Sequence, residues 1–274
     1  MPMSVNMNLG AQTALQNLNQ TQSDLAITQR RISTGQKVSS AADNGATFAI
    51  AQTQRGTSRA YDTVMESLTR VQSTVDVAAA AAGVVSDLLL QMKEKALAAL
   101  DSSVDTTSRS ILNTDYKALR DQIAKAVSNA SFNGVNLISA GQTISALAND
   151  TGTSKLTVKG QSIGLSSTNV TVTSTSTINS TGAASTELAR INTSIANVST
   201  ALASFGTNSR MIAQHRDFVS KLKDTVDAGI ANITDADLSK ESSKLQALQT
   251  KQQLGYQALS IANSSTQSLL SLFR

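Results

Sequence analysis

The chain has 274 residues, a net charge of +4 and no cysteine. The missing thiols exclude disulfides, thiolate metal sites and a thiol nucleophile, and so small a net charge with one isolated basic doublet, Arg30 and Arg31, argues against a nucleic-acid surface. Aromatics at 3% with no Trp leave few side chains for a substrate pocket, whereas 40% apolar content suffices for a long helical bundle.

Pro2 is the only proline, so nothing after it forbids continuous helix. Residues 1–8 lack both a basic start and an apolar core, which predicts export, if any, without a cleavable signal; no apolar run reads as long enough to cross a membrane. From about residue 4 to residue 32, Ala14, Leu18, Thr21, Leu25, Thr28 and Ile32 step by four and three. This predicts an amphipathic helix with a thin seam, two of its six members being threonine, and such a helix needs a partner. The Ser- and Gly-rich residues 33–47 predict turns, with helix resuming near Thr47 and breaking or bending at Gly56.

Residues 64–99 carry the strongest pattern: Val64, Leu68, Val71, Val75, Ala78, Ala82, Val85, Leu89, Met92, Ala96 and Ala99 follow one another by four and three without a miss. A repeat averaging 3.5 confines them to one seam, as in a coiled coil, and at 1.5 Å per residue the helix would run about 50 Å. A polar connector over residues 101–108 precedes a second ladder of Leu112, Tyr116, Leu119, Ile123, Ala126 and Ala130, predicting an antiparallel neighbour. Phe132-Asn-Gly-Val then carries the dipeptide of a tight turn.

From residue 141 the texture changes. Leu156-Thr-Val and Val170-Thr-Val-Thr alternate as short strands do, among Ser and Gly clusters. The expectation is an exposed, partly flexible insertion at the tip of the helical hairpin, with the serines and threonines between Ser166 and Thr186 as possible sites for O-linked glycans. Helix returns with the longest ladder: Leu188, Ile191, Ile195, Val198, Leu202, Phe205, Ser209, Ile212, Arg216, Val219, Lys223, Val226, Ile230 and Ile233. By length it is the mate of the 64–99 ladder. Arg216 and Lys223, at seam positions, read as register-setting contacts, and His215, the only histidine, reads as structural because no triad partner is evident. A last helix, N-capped by Thr234 or Asp235, carries Leu238, Leu245, Leu248, Leu254, Leu259 and Ile261 before Leu269, Leu270, Leu272 and Phe273 close the chain. An apolar terminus of that kind calls for covering by another surface.

Pairing the first helix with the last gives both thin seams a partner. The expected fold is therefore mainly α: an elongated antiparallel coiled-coil bundle with paired terminal helices and a small β-hairpin tip. Residues 1–40 with 235–274 form its terminal helical domain, 41–140 with 183–234 its rod, and 141–182 the tip. The rod core is assigned to Val64, Leu68, Val71, Val75, Leu89, Leu119, Ile123, Ile191, Ile195, Val198 and Leu202. Self-assembly is assigned to Leu9, Leu15, Leu18, Leu25, Ile32, Leu245, Leu248, Leu259, Ile261, Leu269, Leu270, Leu272 and Phe273.

Several segments resemble bacterial flagellin, specifically a short flagellin of the alphaproteobacterial type. Ser33-Thr-Gly-Gln-Lys-Val-Ser-Ser-Ala-Ala-Asp-Asn-Gly-Ala-Thr-Phe-Ala-Ile is similar to the family's N-terminal signature. Ala14-Leu-Gln-Asn-Leu-Asn, Phe132-Asn-Gly-Val-Asn-Leu-Ile, Ile233-Thr-Asp-Ala-Asp-Leu and the closing Leu269-Leu-Ser-Leu-Phe-Arg fit in order. The resemblance implies a non-enzymatic structural subunit of an extracellular swimming filament, with terminal helices lining an inner tube and the coiled coil an outer one. It implies export through the flagellum's own type III channel. The implied partners are like or sibling flagellins, an export chaperone, and hook-associated and cap proteins, with no cofactor, metal, nucleic acid or membrane. Where relatives bound by a mammalian toll-like receptor carry Arg and Leu, this chain has Gln91 and Lys95, so weak recognition is expected. A hook–filament junction protein, or less well a type III-secreted coiled-coil effector or adhesin, is the alternative.

Overall fold

Among the described residues of the computed structural model, 8–139 and 142–271, with side chains as far as residue 264, there are five helices and one two-stranded hairpin. They are α1 (Leu9–Thr34), α2 (Gly45–Leu100), α3 (Thr106–Asn129), β1 (Thr143–Leu147), β2 (Lys155–Lys159), α4 (Thr181–Thr234) and α5 (Leu238–Ser271). Contacts divide the chain into two units, Met1–Gly56 with Thr225–Arg274, and Thr57–Asp224; the motifs had suggested edges near 40 and 235.

Local chemistry starts and stops these helices. The Asn8 side chain accepts from the Ala11 amide, Asn44 from Thr47, Asp105 from Ser108 and Asp237 from Ser239 and Lys240, each satisfying amides of a first turn. The cap of α5 is thus Asp237 and not Thr234 or Asp235. Thr234 ends α4, its hydroxyl bonding back to the Ile230 carbonyl. Gly35 ends α1 at φ 70°, where a Cβ would be strained.

In the first unit α1 and α5 pair antiparallel, as contacts stepping in opposite directions along the two helices show. Asn8 Nδ2 donates to the Ala262 carbonyl at 2.8 Å, Gln22 Nε2 to the Tyr256 hydroxyl at 3.3 Å, and Arg31 Nη1 to Glu241 Oε1 at 3.1 Å. The seam is thin: Leu18, Thr21 and Thr28 are the buried residues of α1, and Leu248 is the buried residue of the described part of α5.

In the second unit all eleven members of the 64–99 ladder are buried, none more than 3% exposed. They meet Tyr116, Ile123 and Val127 of α3 and Ile191, Val198, Phe205, Ile212 and Val219 of α4 in one core. Those five α4 residues recur every seven, and the ladder members between them, Ile195, Leu202, Ser209 and Arg216, are half-buried, as a 3.5-residue seam requires. Lys95 pairs with Asp115 at 2.8 Å and Arg109 Nε donates to the Ala99 carbonyl, so α3 runs antiparallel to α2; Gln72 Nε2 to Ser209 Oγ at 2.7 Å and Asp62 with Lys223 at 3.7 Å set α4 antiparallel as well.

Four expectations need correction. Gly56 does not break α2: it is helical and exposed with nothing within 4 Å of its would-be Cβ, and one glycine costs a helix only about 1 kcal/mol. α2 does contain an 18-residue window apolar enough to cross a membrane, with mean hydropathy 1.5; composition alone cannot separate such a stretch from a core helix, and the ladder residues of this one are buried against α3 and α4. Of the two predicted strand segments, the first lies in β2, but residues 170–173 pair with no strand. Val170 and Val172 are instead fully buried, and Thr171 bonds to α4, its amide to Ser194 Oγ and its hydroxyl to the Arg190 carbonyl.

Finally, the hairpin exists but does not sit at a tip. The Leu147 amide donates to Ser67 Oγ and the Ala148 carbonyl bonds His215 Nε2 at 2.8 Å, placing it about 50 Å of helix before the end of α2 at Leu100. Nor is the insertion loose: Leu137, Ile138, Ala146, Val158, Ile163, Val170, Val172 and Ile178 are fully buried members of the core. At Gly160 a Cβ would fall 2.4 Å from the Gln142 carbonyl oxygen, so the close chain crossing there requires glycine. Phe132-Asn-Gly-Val is the expected tight turn, with positive φ at Asn133 and Gly134 and a bridge between Phe132 and Val135.

Candidate assembly surface

The two most specific sequence motifs, residues 33–50 and 233–238, fold against each other in the first unit. The Ala236 amide donates to the Gly35 carbonyl at 2.9 Å, Gln36 and Asp235 form an antiparallel bridge, and the Lys37 and Val38 amides both donate to the Thr234 carbonyl. Val38 and Thr234 are buried beneath this clasp. Asp43 locks the following turn: Oδ2 accepts from the amides and hydroxyls of Ser39 and Ser40, while Oδ1 accepts from Arg30 Nη2 at 2.8 Å. These donors, the Ser39 hydroxyl first, stabilise the carboxylate and lower its pKa to about 2. In the sequence the Ser- and Gly-rich residues 33–47 read only as turns. That residues 33–50 and 233–238 meet here is a tertiary fact.

What the paired termini leave uncovered is apolar. Leu9 is 63% exposed, Leu15 47%, Leu254 59% and Ile261 69%, with Ile50, Leu238 and Tyr256 also open. Of the side chains assigned to self-assembly, Leu9, Leu15 and Ile261 are therefore open, Leu25, Ile32, Leu245 and Leu259 half-buried, and Leu18 and Leu248 covered within the chain. The side chains of Leu269 and Leu270, and residues Leu272 and Phe273, lie outside the described ones. Ile50, Leu254 and Tyr256 did not figure among the assigned side chains; their signal was the apolar residue falling off the seam.

In the second unit every assigned core residue is buried except Leu119, Ile195 and Leu202, which are half-buried. Val84, Leu90, Leu97, Ile111 and Phe218 are exposed apolar side chains outside its core. Gln91 is exposed, whereas Lys95 is half-buried and held by Asp115. In the Ser- and Thr-rich stretch Ser166, Thr168, Ser174, Thr175, Ser180, Thr181, Ser185 and Thr186 are exposed and Ser176 is buried.

The ionisable groups inside this unit hold it together. Glu187, 6% exposed, accepts from the Tyr116 hydroxyl at 3.2 Å and from Arg190 at 3.2 Å. Burial, then the charge of Glu187, raises the Tyr116 pKa well above the ordinary phenol value. Arg109 donates to the Ala99, Asp101 and Val104 carbonyls, satisfying acceptors at the end of α2. His215 bonds a hairpin carbonyl and tilts against Phe218 at 5.9 Å.

Comparison with known proteins gives a consistent result. The family model for the bacterial flagellin N-terminal helical region matches residues 5–143, and that for the C-terminal helical region matches residues 188–273. Flagellin FljK of Caulobacter vibrioides is 52% identical over 272 residues, covering 99% of this chain and 98% of the relative. Among solved structures, Bacillus cereus flagellin superposes with TM-score 0.51 at 21% identity over 56% of this chain and 88% of its own. A Vibrio parahaemolyticus chain assigned as flagellar hook-associated gives 0.60 at 14% identity over 70% of this chain and 100% of its own. At such identities the two structures support the fold alone.

Proposed function

The chain belongs to the bacterial flagellin family, and on that premise we propose how its two units serve the polymer. As a flagellin it is a structural subunit of the extracellular flagellar filament used for swimming, assembling with other flagellin subunits. The first unit lines the inner tube, its α1/α5 surface covered by neighbouring copies, and the second unit forms the outer tube. The observation that carries this reading is the set of open apolar side chains, Leu9, Leu15, Leu254, Tyr256 and Ile261, on a helix pair whose own seam buries few residues. Apolar surface left in water is a cost of about 25 cal/mol per Å², which a neighbour removes. The contact is heterologous, because a self-complementary patch would close into dimers.

Further assignments follow. The subunit is threaded unfolded through the flagellum's type III channel, a route that needs no cleaved signal and suits a chain without disulfides. An export chaperone covers its C-terminal end beforehand, cap and hook-associated proteins bound the filament, and the protein does no catalysis. The exposed hydroxyls of Ser166, Thr168, Ser174, Thr175, Ser180, Thr181, Ser185 and Thr186 are the acceptors for O-linked glycans, the buried Ser176 is not, and intact mass of native protein tests this. Gln91 and Lys95, which lack the forked donor and apolar anchor usual at such hot spots, make the protein a poor ligand for the mammalian toll-like receptor; full potency at about picomolar dose in reporter cells would refute that.

Purified protein decides the main reading. Electron microscopy is expected to show filaments of micrometre length, and a Leu254→Glu, Ile261→Glu variant to stay unassembled with unchanged far-UV circular dichroism for the second unit. Short rings or permanently soluble monomers from the unaltered chain would instead favour a junction protein or a secreted effector.

A further inference from the structure

Beside the clasp, within the first unit, lies a notch of about 420 Å³ lined by Arg31, Lys37, Lys240, Lys244, Asp235, Asp237 and Glu241. Its acids are engaged: Asp235 accepts from the Thr234 hydroxyl, Asp237 caps α5, and Glu241 pairs with Arg31. Its lysines are not. Among the described residues Lys37, Lys240 and Lys244 are exposed and have no ion-pair partner. The Arg31 to Glu241 contact is itself one-sided. Arg31 Nη1 meets Glu241 Oε1 at 3.1 Å, while Arg31 Nε and Glu241 Oε2 are buried with no partner, where a guanidinium and a carboxylate can form two parallel bonds. Buried polar atoms left in that state are costly and are found satisfied in finished structures, so the lone chain holds this pair short of its best geometry.

Charge of the opposite sign is available on the same chain. Asp87 and Glu94 stand seven residues apart on α2, and Asp217 and Asp224 seven apart on α4. All four are exposed, and among the described residues none has an ion-pair partner. A recess on the first unit lined by four basic and three acidic side chains, with its three lysines unpaired among the described residues, and exposed acids on the second are different surfaces. Pairing them between copies is a heterologous contact that repeats without closing, as an open polymer requires. From this we infer that the notch is a docking socket for a carboxylate side chain of a second copy. The incoming acid takes Lys240 and Lys244 and offers the unpartnered Arg31 Nε an acceptor. This inference rests on the filament reading above and adds the chemistry of one of its contacts.

Carbodiimide coupling of filaments grown from a mixture of ¹⁴N and ¹⁵N subunits tests it, since the reagent joins only a carboxylate and an amine already in contact, with loss of water. The expected result is an amide between Lys240 or Lys244 and an Asp or Glu of a differently labelled chain, found by mass spectrometry after proteolysis. A Lys240→Glu, Lys244→Glu variant with unchanged helicity should raise the critical concentration for growth about tenfold, the scale of a lost close charge pair. Filaments that couple only within one chain, or not at these lysines, or that grow normally from the reversed variant, overturn the socket and leave the filament reading standing. A chain that forms no filaments overturns both.

Discussion

Asp43 is a surface-loop carboxylate by sequence and a fivefold acceptor in the structure, taking two amides, two hydroxyls and a guanidinium. Its folded pKa, about 2, lies below the ordinary 3.8. The clasp therefore gains stability from Asp43 that is complete above about pH 4 and disappears as the pH falls through about 2. Acid unfolding of the unaltered protein should show that contribution. Asp43→Asn should lower the melting temperature near pH 7 and leave it nearly unchanged near pH 2; an equal loss at both pH values would mean that the charge is not what the four serine donors and Arg30 recognise. The adjacent salt bridge adds little by itself, because Arg30 is half exposed.

At the scale of elements, the helices differ in how much of themselves they bury. The α2 ladder is buried throughout, so Leu89→Ala, at a fully covered position, should destabilise the second unit by about 2–5 kcal/mol through lost transfer energy and a cavity, measured by chemical denaturation. Ile261→Ala, at a position 69% exposed in the lone chain, should leave that denaturation curve unchanged. Gly56 supplies a complementary check on the unbroken α2: with an exposed, helical and uncrowded position, Gly56→Ala should stabilise by about 0.5–1 kcal/mol. A loss of stability there would indicate that the chain uses the glycine's freedom after all. The hairpin makes the reverse point. Its two strands alone would be marginal, and they are held by Ser67, His215 and the buried Ala146 and Val158.

For the whole molecule the division of labour follows from burial. The second unit buries a continuous apolar core of its own, whereas the first exposes large apolar side chains on both of its terminal helices. On the proposed reading, folding is linked to association by mass action in the first unit. Removing residues 269–274, which end the chain in four large apolar side chains, should yield soluble or secreted subunits and no filaments by electron microscopy. Filaments of normal length from that truncation would show that covering of the C-terminal end is dispensable.

The helical ladders, the pairing of first helix with last, the turn at Asn133 and Gly134, and the thin terminal seam were legible in the residues, because each depends on periodicity or on a local backbone preference. The clasp between Gly35 and Thr234, the packing of residues 170–172 against α4, the seat of the hairpin on Ser67 and His215, and the choice of which leucines stay open were settled only by the tertiary structure. Those features join positions far apart in the chain, and a Ser, Thr or Val in an irregular segment carries no mark of the surface it will meet. Spacing along one chain determines which face of a helix is apolar; the partners available in three dimensions decide whether that face is covered.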